Sequence, residues 1–227
     1  MNNNMSTEKS IKKMKGAVKS GLILVLVSSV LFAGSLFFYF KKPPGAGESF
    51  QVSEKSSKVA GLKFSEAVGQ KAPDFTLSDI SGNTVKLADY KGKFAVLFFT
   101  EGAMCYPACW DQISAFEKDE RFNSSEVTAF SIVVDEKSEW QEIIKQAPEF
   151  SKAKILFDSQ RLASNAYDIL SLPSSMHPPS SMHPGGYPGH TYFIIDKDGV
   201  IRYTFDDPSM GLRNDLLFSE LSKLKGV

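Results

Sequence analysis

The 227-residue chain has two cysteines, Cys105 and Cys109, in the run Glu101-Gly-Ala-Met-Cys-Tyr-Pro-Ala-Cys-Trp-Asp111. Two thiols at this spacing can close a disulfide, exchange it with a partner, or ligate a soft metal. An apolar run over residues 94–99 leads into them, and a helix-like stretch over residues 107–117 follows. If Cys105 opens that helix, Cys109 lies one turn further along the same face. The unpaired amides and partial positive charge of a helix N-terminus stabilise a thiolate. That makes Cys105 the expected nucleophile and Cys109 the resolving thiol. The bland alternatives are a permanent structural disulfide and a pair of inert core thiols.

The three histidines, His177, His183 and His190, lie within 14 residues of one another, and the unit Ser-Ser-Met-His-Pro occurs twice in that stretch. Its Pro and Gly density predicts a loop without helix or strand. Met176, His177, Met182 and His183 combine thioether and imidazole, a soft ligand set that suits copper better than magnesium or calcium. The competing reading is a flexible surface loop whose repeat arose by duplication. His190 is placed to take a thiol proton as a neutral imidazole. Glu101, Asp111, Asp206 and Asp207 read as solvated charges or turn residues, and Glu101 stands out because it precedes the cysteines by four positions.

The elements that must position these groups follow from periodicity and turn signals. Residues 74–77 and 84–87 flank Ser81-Gly82-Asn83 and predict a hairpin. Residues 94–99 are a continuous apolar run, as expected for a strand buried on both faces, and residues 127–134 read as the next buried strand. A helix over 138–146 starts at Ser138 as N-cap and puts Trp140, Ile143, Ile144 and Ala147 on one face. A strand over 154–157 and a short helix over 160–169 come next. Residues 191–196 and 200–204 flank Lys197-Asp198-Gly199 and predict a second hairpin. An amphipathic helix over 212–224 closes the chain. The order gives an α/β sandwich with a central mixed sheet.

The N-terminal part reads differently. Residues 21–40 carry no charge and would span about 30 Å as a helix, one bilayer core. Residues 1–42 hold seven Lys and one Glu, leaving 19 basic against 25 acidic residues in the remainder. The lysines preceding the apolar run predict that residues 1–20 stay in the cytoplasm, with 21–40 as a single-pass signal anchor and the rest exported. A cleaved signal peptide is the alternative, but the run is long for one and Leu-Phe-Ala at 31–33 is a poor cleavage site. Residues 41–65 read as a linker and 66–227 as the folded domain. The mildly acidic balance of the exported part carries no nucleic-acid footprint.

Several motifs resemble the thioredoxin superfamily, in particular its AhpC/TSA (peroxiredoxin-like, or redoxin) branch. Val68-Gly-Gln-Lys-Ala-Pro-Asp-Phe-Thr-Leu is similar to that branch's opening strand. Asn83-Thr-Val-Lys-Leu-Ala-Asp-Tyr-Lys-Gly-Lys-Phe-Ala-Val-Leu-Phe-Phe resembles its hairpin and first core strand, and Phe193-Ile-Ile-Asp-Lys-Asp-Gly-Val-Ile-Arg-Tyr its late hairpin. The resemblance covers about residues 66–225 and implies a thioredoxin-like three-layer α/β sandwich. Cys109 falls near the peroxidatic position, which would reverse the two cysteine roles, but the Pro and Thr of the Pro-x-x-x-Thr-x-x-Cys pattern are absent. His190 stands where thioredoxins place a cis-proline. The Cys-x-x-x-Cys spacing is also that of the Sco-type copper proteins, which implies a copper site of Cys105, Cys109 and His190.

The expected function is a membrane-anchored, exported thiol-disulfide oxidoreductase or thiol peroxidase. It would cycle Cys105 and Cys109 between dithiol and disulfide with His190 tuning the thiolate. Its partners would be a thiol or disulfide protein and a peroxide, with no bound organic cofactor. The alternatives are a Sco-like copper carrier and an interaction domain with a permanent disulfide.

Overall fold

The computed structural model of the chain describes residues 61–226. The first predicted hairpin forms from β1 (Thr76–Asp79) and β2 (Thr84–Lys86), with Leu77 opposite Val85. β3 (Phe94–Thr100) and β4 (Val127–Val133) pair in parallel and are buried at every position. Both faces of the two strands are covered, which suits their mostly apolar sequences and buries Thr100, Thr128 and Ser131 as well. β5 (Ile155–Phe157) pairs in parallel with β4 and antiparallel with β1. On the other side, β6 (Thr191–Ile195) runs antiparallel to β3, and β7 (Ile201–Asp206) antiparallel to β6. The result is one seven-stranded mixed sheet in the order β2-β1-β5-β4-β3-β6-β7.

The period-two alternation of β3 divides the core between two layers. Phe94, Val96 and Phe98 face one side with Tyr192 and Ile194 of β6. They pack against Ile113 and Phe116 of α1 (Ala108–Lys118), Trp140 of α2 (Lys137–Gln146), and Leu217 and Leu221 of α4 (Asn214–Lys225). Ala95, Leu97 and Phe99 face the other side with Phe193 and Ile195, against Ala163 of α3 (Leu162–Ala166), Tyr167 and Leu87. Burying each large side chain of this kind contributes about 1.5–3 kcal/mol. The expected three-layer sandwich is thus formed.

Two boundaries differ from expectation. α2 is capped by Glu136, not Ser138: the Glu136 side chain accepts from the backbone three residues on, and Glu139 reaches back to the Glu136 N–H. A reciprocal box satisfies two of the helix's unpaired donors at once, which a lone serine cannot do. α3 spans five residues where ten were expected, with Arg161 (φ 58°) before it and Asp168 (φ 55°) after it, both left-handed. The buried Asp158 carboxylate starts it by accepting from Ala163 N, Ser164 N and Ser164 Oγ.

The expected anchor over residues 21–40 and most of the linker lie outside the described residues. Among the described residues no helix is long and apolar enough to cross a membrane.

Candidate functional site

β3 and β4 are neighbours, and both end on a buried acid: Glu101 follows β3, and Val134-Asp135 follows β4. In open α/β sheets the space beyond the carboxyl ends of such strands is where ligands are met. The chain leaves β3 through a 3₁₀ turn, Gly102–Met104, and reaches Cys105 at φ −93°, ψ 53°. α1 begins only at Ala108, after a cis Tyr106–Pro107 bond. Cys105 therefore precedes the helix and does not open it. The residue before a proline avoids helical backbone, so Tyr106-Pro107 separates the cysteine from the helix proper. Cys109 is the second residue of α1, and its N–H donates to the Cys105 carbonyl at 3.0 Å. The two sulfurs are joined in a disulfide with Cα atoms 5.4 Å apart. Cys105 is 9% exposed and Cys109 fully buried, so only the first sulfur-bearing residue reaches the surface.

Side chains hold the turn between β3 and Cys105 from both sides. Asp135 Oδ2 accepts from Ala103 N at 2.8 Å and from Trp140 Nε1 at 2.7 Å. Trp110 Nε1 donates to the Ala103 carbonyl at 3.2 Å, and the Trp110 ring lies 6.0 Å from that of Trp140. Gly102 adopts φ +73°, and a Cβ there would fall 2.0 Å from Asp135 Oδ2. Glycine is thus required both for the left-handed turn and for the close approach of the carboxyl. Burial pushes the Asp135 carboxyl above its ordinary value, and the hydrogen bonds from Trp140 and Ala103 offset only part of that.

His190 immediately precedes β6 and is fully buried. Its ring sits edge-on to Phe98 at 4.6 Å. Nδ1 lies 3.3 Å from the Tyr192 hydroxyl and 3.8 Å from Asp207 Oδ2, while Nε2 is buried without a hydrogen-bond partner. Burial lowers its pKa from 6.5 to about 4, outweighing the nearby Asp207. His190 is therefore a neutral imidazole at neutral pH. Burial alone would raise Asp207, but Arg213 and the amides of Gly211 and Ser209 hold it below the ordinary carboxylate range. Arg213 grips Asp207 bidentately, Nε at 2.6 Å and Nη2 at 2.9 Å.

The Met-His segment is a loop, as expected, but it is tied down. Glu101 is 2% exposed; its Oε1 accepts from Met176 N at 2.8 Å, and its Oε2 lies 3.4 Å from His177 Nδ1. The rings of His177 and His183 meet edge-on at 4.6 Å, beside Tyr187. Ser174 bonds to Asp206 and receives the His190 N–H at 2.8 Å. Met176 and Met182 are exposed. The loop thus brings His177 and His183 together. Among the described residues no group of three or more His, Cys, Asp or Glu side chains is arranged to hold a metal ion.

A cleft of about 570 Å³ opens beside the turn that leads to Cys105, lined by Ala103, Met104, Asp135, Ser159, Arg161 and Tyr187 among others. Arg161 lies over the Tyr187 ring and donates to the carbonyls of Gly186 (2.6 Å) and Ser159 (3.1 Å). A smaller cavity of about 210 Å³, lined by Lys71, Leu87, Tyr90 and Asp196, lies at the opposite end of β3 from the disulfide. Glu101 stood out only by its spacing from the cysteines and Asp207 was read as a solvated or turn charge, while Asp135 and Arg161 were not singled out. The available signal was position: Glu101 comes one residue and Asp135 two residues after a buried strand, both at the sheet's carboxyl edge.

The model of the AhpC/TSA family matches residues 68–204. The chain belongs to the AhpC/TSA family. Among curated proteins it is 31% identical over 134 residues to peroxiredoxin Bcp of Bacillus subtilis, covering 58% of this chain and 80% of that one. It is 30% identical over 141 residues to the thiol-disulfide oxidoreductase ResA of Geobacillus kaustophilus, covering 62% and 70%. Solved structures share the fold: Enterococcus faecalis AhpC superposes with a TM-score of 0.58 at 17% identity, over 71% of this chain and 93% of that one. Peroxidoxin BcpB of Mycobacterium tuberculosis gives 0.57 at 20% identity, over 70% and 97%. This AhpC/TSA chain thus carries a close cysteine pair on a thioredoxin-like fold.

Proposed function

We propose that this AhpC/TSA chain is a membrane-anchored, exported thiol-disulfide oxidoreductase in which Cys105 meets the partner and Cys109 resolves. The observation that carries the reading is the unequal burial of two bonded cysteines: Cys105 keeps 9% of its surface exposed and Cys109 none. Attack is governed by access as well as by thiolate fraction. The Cys105 thiolate attacks a partner disulfide, forming a mixed disulfide and expelling one partner thiolate. The Cys109 thiolate then attacks the Cys105 sulfur and releases the second partner thiolate. Two electrons pass to the partner and its two thiolates take up two protons, leaving Cys105–Cys109 oxidised. His190, neutral and with Nε2 unpartnered, is the residue we assign to tuning the thiolate. The name of the ResA relative supports disulfide exchange.

The test is trapping. Cys109→Ser should accumulate a stable mixed disulfide with a protein disulfide substrate, and Cys105→Ser should form none. The reverse pattern would overturn the assignment. The name of the Bcp relative favours a second reading, in which the dithiol reduces a hydroperoxide to alcohol and water and ends as the same disulfide. Peroxide consumption that persists in Cys105→Ser and disappears in Cys109→Ser would establish it. Anchoring rests on the uncharged run 21–40 and its flanking lysines. Retention in the membrane after alkaline extraction, with cysteine labelling from outside intact cells, would verify it.

A further inference from the structure

The peptide unit of Ala103, two residues before Cys105, is held at both of its polar atoms by side chains. Its N–H is bound by Asp135, at the end of β4, and its carbonyl by Trp110, which directly follows Cys109. Asp135 also binds Trp140, and Trp140 lies against Trp110. The contacts close a ring that runs Ala103, Asp135, Trp140, Trp110 and back to Ala103. One arm of the ring leads to Cys105 and the other to Cys109. Phe150 wedges the two indoles, with ring centroids 5.4 Å from Trp110 and 5.9 Å from Trp140.

We propose that Asp135 is a positioning residue for the cysteine pair: through this ring it keeps Cys105 and Cys109 within bonding reach when the disulfide is reduced. The inference rests on the dithiol-disulfide reading of the pair. Its physical basis is a difference between the two redox states. In the oxidised form the S–S bond itself restrains the turn, so the ring adds little. In the reduced form the ring is the restraint that remains, and without it the turn gains conformational freedom that opposes re-closure. Holding two reacting groups in geometry raises their effective concentration, and that concentration sets how readily the pair re-forms its bond. Gly102 fits this role, since only a residue without Cβ lets the carboxyl reach the Ala103 amide. The carboxyl touches neither sulfur by hydrogen bond; it acts through the backbone that carries Cys105.

The test is the thiol-disulfide equilibrium of the full chain in a dithiothreitol redox buffer, read by mass after alkylation of free thiols. In Asp135→Ala the equilibrium constant should move on the order of tenfold toward the dithiol, about 30 mV for this two-electron couple. Trp110→Phe keeps the ring packing but removes the donor to Ala103, so it should move the equilibrium the same way by less. An unchanged equilibrium in both variants overturns the proposal. Should Asp135→Ala fail to fold, Trp110→Phe alone decides, an unchanged value again being fatal. The measurement needs no turnover, so a null result in every activity assay would count against the proposed function while leaving this inference standing or falling by the equilibrium alone.

Discussion

Glu101 and Asp135 sit at the carboxyl ends of adjacent parallel strands, and both are buried acids, yet they hold different things. Asp135 grips the turn before Cys105, a segment 32 residues earlier in the chain, through the Ala103 amide, while the same oxygen accepts from the Trp140 indole. Glu101 grips the Met-His loop, 75 residues later, through one amide, with the His177 ring 3.4 Å from its second oxygen. Asp135 faces a glycine that must be there, whereas Glu101 meets a loop whose histidine keeps part of its surface in water. The same residue class at equivalent places thus serves rigidity in one case and attachment in the other. A buried carboxyl costs free energy unless its oxygens are satisfied, so each marks a segment the fold must fix in place.

The largest expected break in this comparison is Gly102→Ala. The left-handed φ and the clash with Asp135 should together cost about 3 kcal/mol. A urea midpoint close to that of the parent chain would contradict the tight approach. A similar magnitude attaches to His190, where the loop meets the sheet. Its folded pKa of about 4 lies below its ordinary 6.5, so the unfolded chain binds the proton more tightly. Stability from this group is complete above about pH 6.5 and is lost as pH falls toward 4, a change of about 3 kcal/mol. His190→Phe should flatten that part of the pH-stability profile; an unaltered slope would reject the assignment. Asp135 has the opposite sign, because its raised pKa favours the folded state at low pH and loses that advantage as pH rises. The smallest effect is expected for Glu101→Gln. The amide keeps an acceptor for Met176 N but loses the charge facing His177, costing about 1 kcal/mol. The change should appear as faster proteolysis within residues 173–189 while the redox equilibrium of the cysteines stays put. A shifted equilibrium would mean that the two acids do not divide the work as described.

Much of the frame was legible in sequence because it depends on local signals. The apolar run of β3, the largely apolar β4, the Ser81-Gly82-Asn83 turn and the Lys197-Asp198-Gly199 turn each gave the right element. The pairing of Cys105 with Cys109 was legible from spacing. The start of α1 was displaced because Pro107 was read as part of the helix when its effect is to hold the preceding residue out of it. α3 was overextended because its limits come from left-handed Arg161 and Asp168, which no periodicity announces. Glu101, Asp135 and Asp207 were read as, or left among, solvated charges because most such residues are exposed. Their partners lie far away in sequence or at a backbone amide, and neither leaves a local trace.

The ring around Ala103 contains both of the chain's tryptophans. Indole emission is quenched by a neighbouring disulfide, and Trp110 follows Cys109 directly. Opening the bond is therefore expected to brighten the chain's own emission, a readout that needs no added label.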